Sequence, residues 1–217
     1  MAGVDYSIYF TAGSGGVNTV NILKAPTTLV GVATNYQYVG IVLDAVRTAY
    51  IPNAASFGTF SPIIPVSWSF SGLQISVVAQ ASGQVIVLFF GSPMRGSISL
   101  DAYSGVLVEV SGTNSGTSTA NLNTSVTLQF PSGALRLTGV AYLFASGNST
   151  GDIWSFTTAG GLLISGFAAP NFSLGGSSVI VPLDDVFTAQ SLSVSVTMFG
   201  VPAGATHTAF IIAYYRF

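Results

Sequence analysis

The sequence predicts an all-β protein. Short stretches rich in Val, Ile, Leu, Phe, Tyr and Thr recur about every 8 to 14 residues, with Gly, Ser, Asn or Pro between them. Several alternate strictly: Leu192, Val194, Val196 and Met198 interleave with Ser191, Ser193, Ser195 and Thr197. That period of two belongs to a strand with one buried face. Only 38–50 is long enough to consider as a helix, and its β-branched content (Val39, Ile41, Val42, Val46) favours a bent strand.

In chain order, Val4–Phe10 is the first expected strand, followed by the flexible turn Ala12–Gly16. That turn has the glycines of a phosphate loop, but no lysine and no helix follow it. Val17–Leu23 and, after Pro26, Thr27–Ala33 come next, and Pro52 ends the 38–50 stretch. Pro62 and Pro65 mark an edge strand or a strand start before the alternating Val66–Phe70. Leu73–Val78 and Val85–Phe90 read as a hairpin, and Ser97–Asp101 with Val106–Val110 as another pair. Gly112–Leu122 is a long run of small polar residues, expected as an exposed loop. Ser125–Phe130, Ala134–Phe144, Ile153–Phe156, Leu162–Phe167 and Ser177–Leu183 continue the series, and Ser146–Gly151 is a turn. The final run Ala209–Tyr215 is apolar almost throughout and reads as a strand buried on both faces. About fourteen strands crowd a single immunoglobulin-size unit and suit a jelly-roll sandwich or barrel with additional strands or long loops. The expected organisation is an N-terminal arm or first strand with a Gly-rich hinge over 1–16 and one β-sandwich over 17–217. A sub-boundary is expected, if anywhere, in the loop 112–122.

Composition narrows the function more than any motif does. The 217 residues are 6% charged, with five Lys and Arg, seven Asp and Glu, and a net charge of −2. An ordinary soluble domain is about 25% charged. Five scattered cations make no basic patch, so direct nucleic-acid binding is not expected, and an anionic membrane surface finds no electrostatic partner. Mean hydropathy is +0.65, yet no apolar run reaches the roughly 18 residues of a transmembrane helix. The weak alternation of a membrane β-barrel fits poorly, because several strands are apolar on both faces. Met1–Tyr6 has neither a basic nor an apolar leader region, so no secretory signal is expected. Cysteine is absent, which removes disulfides, thiolate metal sites and cysteine nucleophiles.

Chemistry-bearing residues are sparse. The single histidine, His207, lies beside Thr206 and Thr208 and reads as a surface turn residue. Asp184-Asp185 is the one acidic pair; on a strand the two point to opposite faces, but at a turn they could join Asp101 or Asp152 in an oxygen-ligand calcium site. No spacing selects a carboxylate pair for glycoside hydrolysis. Asn123-Thr124-Ser125, Asn148-Ser149-Thr150 and Asn171-Phe172-Ser173 match the N-glycosylation pattern, which makes Asn123, Asn148 and Asn171 candidate modification sites. Neither a catalytic residue nor a cofactor or metal site is assigned, and the expected class is not an enzyme.

So few charges have two compatible explanations. Much of the surface is buried against copies of the chain, since interface cores are depleted in charge. Or the exterior faces hot acid, where carboxylates are largely protonated and cysteine is disfavoured. A cysteine-free, charge-poor, Ser-, Thr-, Gly- and Val-rich all-β chain of this size resembles the single jelly-roll capsid proteins of viruses of hyperthermophilic, acid-loving archaea. The resemblance lies in size, strand spacing and composition, not in a residue motif. It implies a self-assembling capsid subunit without catalysis, located in the virion and partnered by copies of itself and other virion proteins. It also implies that the Ser191–Phe199 and His207–Phe217 strands lie in opposite sheets. Two other readings stand beside it. One is an extracellular archaeal filament subunit that donates Val4–Phe10 to its neighbour. The other is a carbohydrate-binding sandwich with a shallow cleft where Trp68 or Trp154 meets Asp152.

Overall fold

The computed structural model describes residues 5–10, 15–22, 25–53, 62–93, 95–134, 136–144, 148–158, 161–168, 180–186 and 191–217. The chain divides into two compact units, Met1–Gly105 and Val106–Phe217. The first holds β1 (Asp5–Phe10), β2 (Gly16–Asn21), β3 (Thr27–Thr34), β4 (Tyr38–Val42), β5 (Thr48–Pro52), β6 (Ile64–Phe70), β7 (Gln74–Ala79), β8 (Val85–Phe90) and the two-residue β9 (Ile98–Ser99). A 3-10 turn, Leu100–Tyr103, leads into β10 (Ser104–Thr113), which opens the second unit. There follow β11 (Ala120–Gln129), β12 (Arg136–Phe144), β13 (Gly151–Thr158), β14 (Gly161–Ala168), β15 (Val181–Val186), β16 (Ser191–Val201) and β17 (Thr206–Arg216).

Strand order identifies each unit. In the first, β1-β8-β3-β6 form one sheet, with β9 added at its edge, and β2-β7-β4-β5 form the other, with Ser104 and Gly105 at the start of β10 paired onto β5. In the second, β10-β17-β12-β15 form one sheet and β11-β16-β13-β14 the other. Both obey one rule: first, eighth, third, sixth in one sheet and second, seventh, fourth, fifth in the other. That is the jelly roll, eight strands in two sheets. The protein is all-β and jelly-roll, and the strands in excess of eight are a second complete roll. The division falls at Gly105/Val106, ahead of the stretch 112–122, of which only 114–119 is loop, between β10 and β11 of the second roll. Within the arm expected over 1–16, β1 pairs antiparallel with β8 from Asp5↔Phe90 to Phe10↔Val85, as the first strand of its own roll.

Other local expectations change for identifiable reasons. The bent strand over 38–50 is two antiparallel strands, β4 and β5. Asp44 makes the turn: its Oδ1 accepts the backbone N–H of Val46 at 2.8 Å and of Arg47 at 2.9 Å. Such Asx turns compete locally with strand pairing. The stretches 73–78 and 85–90 are not a hairpin, because β7 pairs with β2 and β4 while β8 pairs with β1 and β3. Ser97–Asp101 does not pair with 106–110: Ile98–Ser99 runs parallel to β6.

The second roll has one apolar core. Leu192, Val194, Val196 and Met198 of β16 meet Ala209, Ile211, Ala213 and Tyr215 of β17 in it, together with Trp154 and Phe156 of β13. The two terminal strands thus lie in opposite sheets of one sandwich. On β17 the alternate residues Phe210, Ile212 and Tyr214 are buried too, so this strand is covered on both faces.

Candidate functional site

Two features of the second roll stand out, one inside it and one on its surface. The first centres on Asp152. Residues 152, 154 and 156 of β13 share a phase, and all three are buried. A carboxyl group this deep requires donors. The Tyr142 phenol of β12 donates to its Oδ2 at 2.7 Å, and Nε2 of His207 on β17 lies 2.8 Å from the same oxygen. The Ser149 hydroxyl lies 2.7 Å from Oδ1. Burial first, then the Asp152 charge and its hydrogen bond, push the Tyr142 phenol far above the usual tyrosine range. Trp154 stacks on Tyr142 with ring centroids 6.2 Å apart and planes 10° from parallel, and Phe144 lies 5.2 Å from the His207 ring.

His207 is therefore no surface turn residue: it is 0% exposed and in register with the core face of β17. A nucleophilic triad places histidine between hydroxyl and carboxylate. Here the carboxylate is central, and the Ser149 hydroxyl lies within bonding distance of Asp152 and of the Gly151 and Phe199 carbonyls. Ser149, Asp152, His207 and Tyr142 are all buried, whereas a reacting group has to reach its substrate. The cluster ties β12, β13 and β17 together.

The second feature is the outward face of β11-β16-β13-β14. Register places Ser125, Ser195, Ser155 and Ser165 side by side across the four strands. Thr127, Ser193 and Thr157 form the next row, and Asn123, Thr197, Ile153 and Phe167 the row on the other side. Asp152 is the one charged residue in these four strands, and it points inward with 0% exposure. Ile153 and Phe167, cross-strand partners, are 45% and 60% exposed. A Cβ on Gly151 would come within 2.7 Å of the Phe167 ring, and one on Gly166 within 2.3 Å of the Trp154 ring, so both aromatics lie directly over a glycine.

The remaining candidates are scattered. Asp184 is exposed on β15 and ion-pairs with Arg136. Asp101, in the first roll, pairs with Arg47 at 3.1 Å. Asp152 is enclosed in the core, the Asp185 side chain lies outside the described residues, and among the described residues no three His, Asp or Glu side chains gather to hold a metal. Trp154 and Asp152 cannot line a surface cleft, because both face the core at 4% and 0% exposure. Trp68 is half-buried and meets Phe70 edge-on, with centroids 4.0 Å apart. Asn123 is exposed on β11 and accepts from the Thr197 hydroxyl at 2.8 Å. Asn148 is exposed, and its side-chain amide donates to the Thr206 carbonyl at 2.8 Å. Asn171 lies outside the described residues.

No protein family and no curated protein matches the chain by sequence. Among solved structures it is similar to the STIV major capsid protein at 10% identity and a TM-score of 0.43, covering 98% of this chain and 96% of that one. It is also similar to a Paenibacillus xanthan lyase, at 12% identity and a TM-score of 0.29, over 99% of this chain and 25% of that one. Discoidin II of Dictyostelium discoideum matches at 13% identity and a TM-score of 0.24, over 93% and 78%. The jelly-roll assignment rests on the strand order, not on these likenesses.

Proposed function

We propose that the chain is a structural protein, a self-assembling capsid subunit of an archaeal virus, acting without catalysis in the virion beside copies of itself and other virion proteins. One observation carries this reading: a chain with two jelly rolls leaves its exposed strand faces almost without charge. A free domain usually disperses itself with charges on about a quarter to a third of its surface. Here charged residues are 6% of the chain, and several are spent on one another, as in Arg47 with Asp44 and Asp101 and in Arg136 with Asp184. Uncharged amides and hydroxyls occupy the outward positions of β11 (Asn121, Asn123, Ser125, Thr127, Gln129), and serines those of β16 (Ser191, Ser193, Ser195). Such a surface has little charge to strip of water when it is buried against other protein.

The filament alternative needs β1 free to enter a neighbour, and β1 is paired along its length with β8 of its own chain. Sedimentation and electron microscopy of the purified chain from about pH 2 to about pH 7 test the proposal. Closed particles or defined oligomers are expected, and persistent monomer throughout overturns it.

A further inference from the structure

We propose that the outward face of β11-β16-β13-β14 is a contact between two copies of this chain, each presenting the same face to the other across a twofold axis. The inference rests on the self-assembly reading and names the surface that would serve it. Its first ground is charge. In these four strands Asp152 is the one ionisable acid or base, and it is buried in the core, so the face itself is neutral. A partner with a charged surface would have to strip that charge of water and leave it unpaired. A second copy of the same face brings no charge.

The second ground is hydrogen-bonding chemistry. Each Ser or Thr hydroxyl both donates and accepts. The rows Ser125–Ser195–Ser155–Ser165 and Thr127–Ser193–Thr157 can therefore satisfy an identical set of rows, which is the requirement of an isologous contact. Asn123 and Gln129, both exposed, add side-chain amides that also do both. The third ground is the apolar pair on the same face. Ile153 and Phe167 are adjacent in register and exposed, and Gly151 leaves room for the Phe167 ring to lie close to the sheet. An aromatic held in place before binding loses little freedom on contact.

Size is consistent with one contact among several in an assembly. Four strands at about 4.8 Å spacing are about 19 Å wide, and the three rows, with the exposed pair Gln129 and Ser191 beyond them as a fourth, span about 27 Å at about 6.8 Å per row. The face is then about 500 Å² on each copy, so a pair buries about 1,000 Å², the lower edge of a specific interface. One such contact is weak alone and gains strength when a subunit makes others at the same time.

Ser195 stands in the middle row, flanked by Ser125 and Ser155. Ser195→Lys and Ser195→Glu each bring like charges from both copies into the contact, while Ser69→Lys puts a charge on an exposed position of β6 in the first roll. Sedimentation of the full chain over a concentration series reads the outcome. Each Ser195 variant is expected to weaken association at least about tenfold, with Ser69→Lys matching the parent chain. Mixing the Lys and Glu variants is expected to restore association to within about threefold of the parent. Circular dichroism confirms that each variant is folded. If the parent assembles and the Ser195 variants assemble equally well, this face is not the contact, though the assembly reading stands. If single variants fail and the mixture is not restored, the face does not meet its own copy and the twofold contact is overturned. If the parent itself never associates, both the contact and the assembly reading fall.

Discussion

The His207 imidazole and the Asp152 carboxylate meet at 2.8 Å with neither side chain exposed to solvent. They come from strands β17 and β13, in opposite sheets of the second roll, so their contact crosses the sandwich. Tyr142 joins from β12 through the same carboxylate oxygen. Removing one member of such a buried group leaves its partners desolvated and unpaired. Asp152→Ala is therefore expected to destabilise the chain by about 3 to 5 kcal/mol, read from urea denaturation. A loss below about 1 kcal/mol would mean that the cluster is hydrated or loosely held.

Stability should also respond to alkali through Tyr142. Its folded-state phenol is raised far above the ordinary tyrosine value of 10.0, while the unfolded chain titrates near that value. The native state thus keeps a proton that the unfolded state loses above about pH 10. This contribution is fully present below about pH 10 and declines above it, by up to about 1.4 kcal/mol per pH unit. Tyr50 and Tyr103 are raised by burial in the same sense and add to the decline. Tyr142→Phe should lower stability at neutral pH and flatten the alkaline slope. An unchanged slope in urea midpoints between about pH 9 and about pH 11 would contradict the assignment.

Asn114 predicts a different kind of loss. Its side-chain amide donates to the Ser118 and Val201 carbonyls, each at 2.8 Å, and its Oδ1 accepts the Gly116 N–H at 3.0 Å. Its backbone carbonyl accepts from Gly204, which holds φ +72° in the turn between β16 and β17. Asn114→Ala should cost about 2 kcal/mol and expose 115–119 to proteolysis. Cleavage no faster than in the parent chain would show that the loop is held by other contacts.

Ser104 predicts a gain. Its hydroxyl is buried with no hydrogen-bond partner among the described residues. Ser104→Ala should be neutral or stabilising by up to about 1 kcal/mol. A clear destabilisation in thermal melts would reveal a bound water on that hydroxyl.

Asn123 lies on the face proposed to meet a second copy. It stands in the row with Thr197, Ile153 and Phe167, where an attached glycan would block contact between copies. Assembled material should therefore carry an unmodified Asn123, read by peptide mass spectrometry. A glycan there on assembled chains would move the contact elsewhere.

How far these features can be read from sequence depends on their range. The alternation of β16 shows directly: its Leu, Val and Met positions are buried and Ser191, Ser193 and Ser195 exposed, as period two requires. The double-sided burial of β17 is equally legible from its unbroken apolar run. The turn at Asp44 was written in one residue whose side chain competes for the backbone, and a bent-strand reading overlooks it. His207 shares a phase with Ala209, Ile211, Ala213 and Tyr215, and that phase points it into the core. The residue that receives it, Asp152, is 55 positions away, and no local pattern links the two. The same holds for the two rolls. Pairing of first with eighth strand, as in β1 with β8, is a long-range choice that strand spacing does not encode.

A surface this poor in charge is a surface for assembly in the proposed function. Sedimentation velocity on the purified full chain, with electron microscopy of the same sample, tests it most directly. Symmetric oligomers or closed particles are expected, and their formation should barely depend on salt, because few charges take part. A single 22.2 kDa species at every pH and concentration would contradict it.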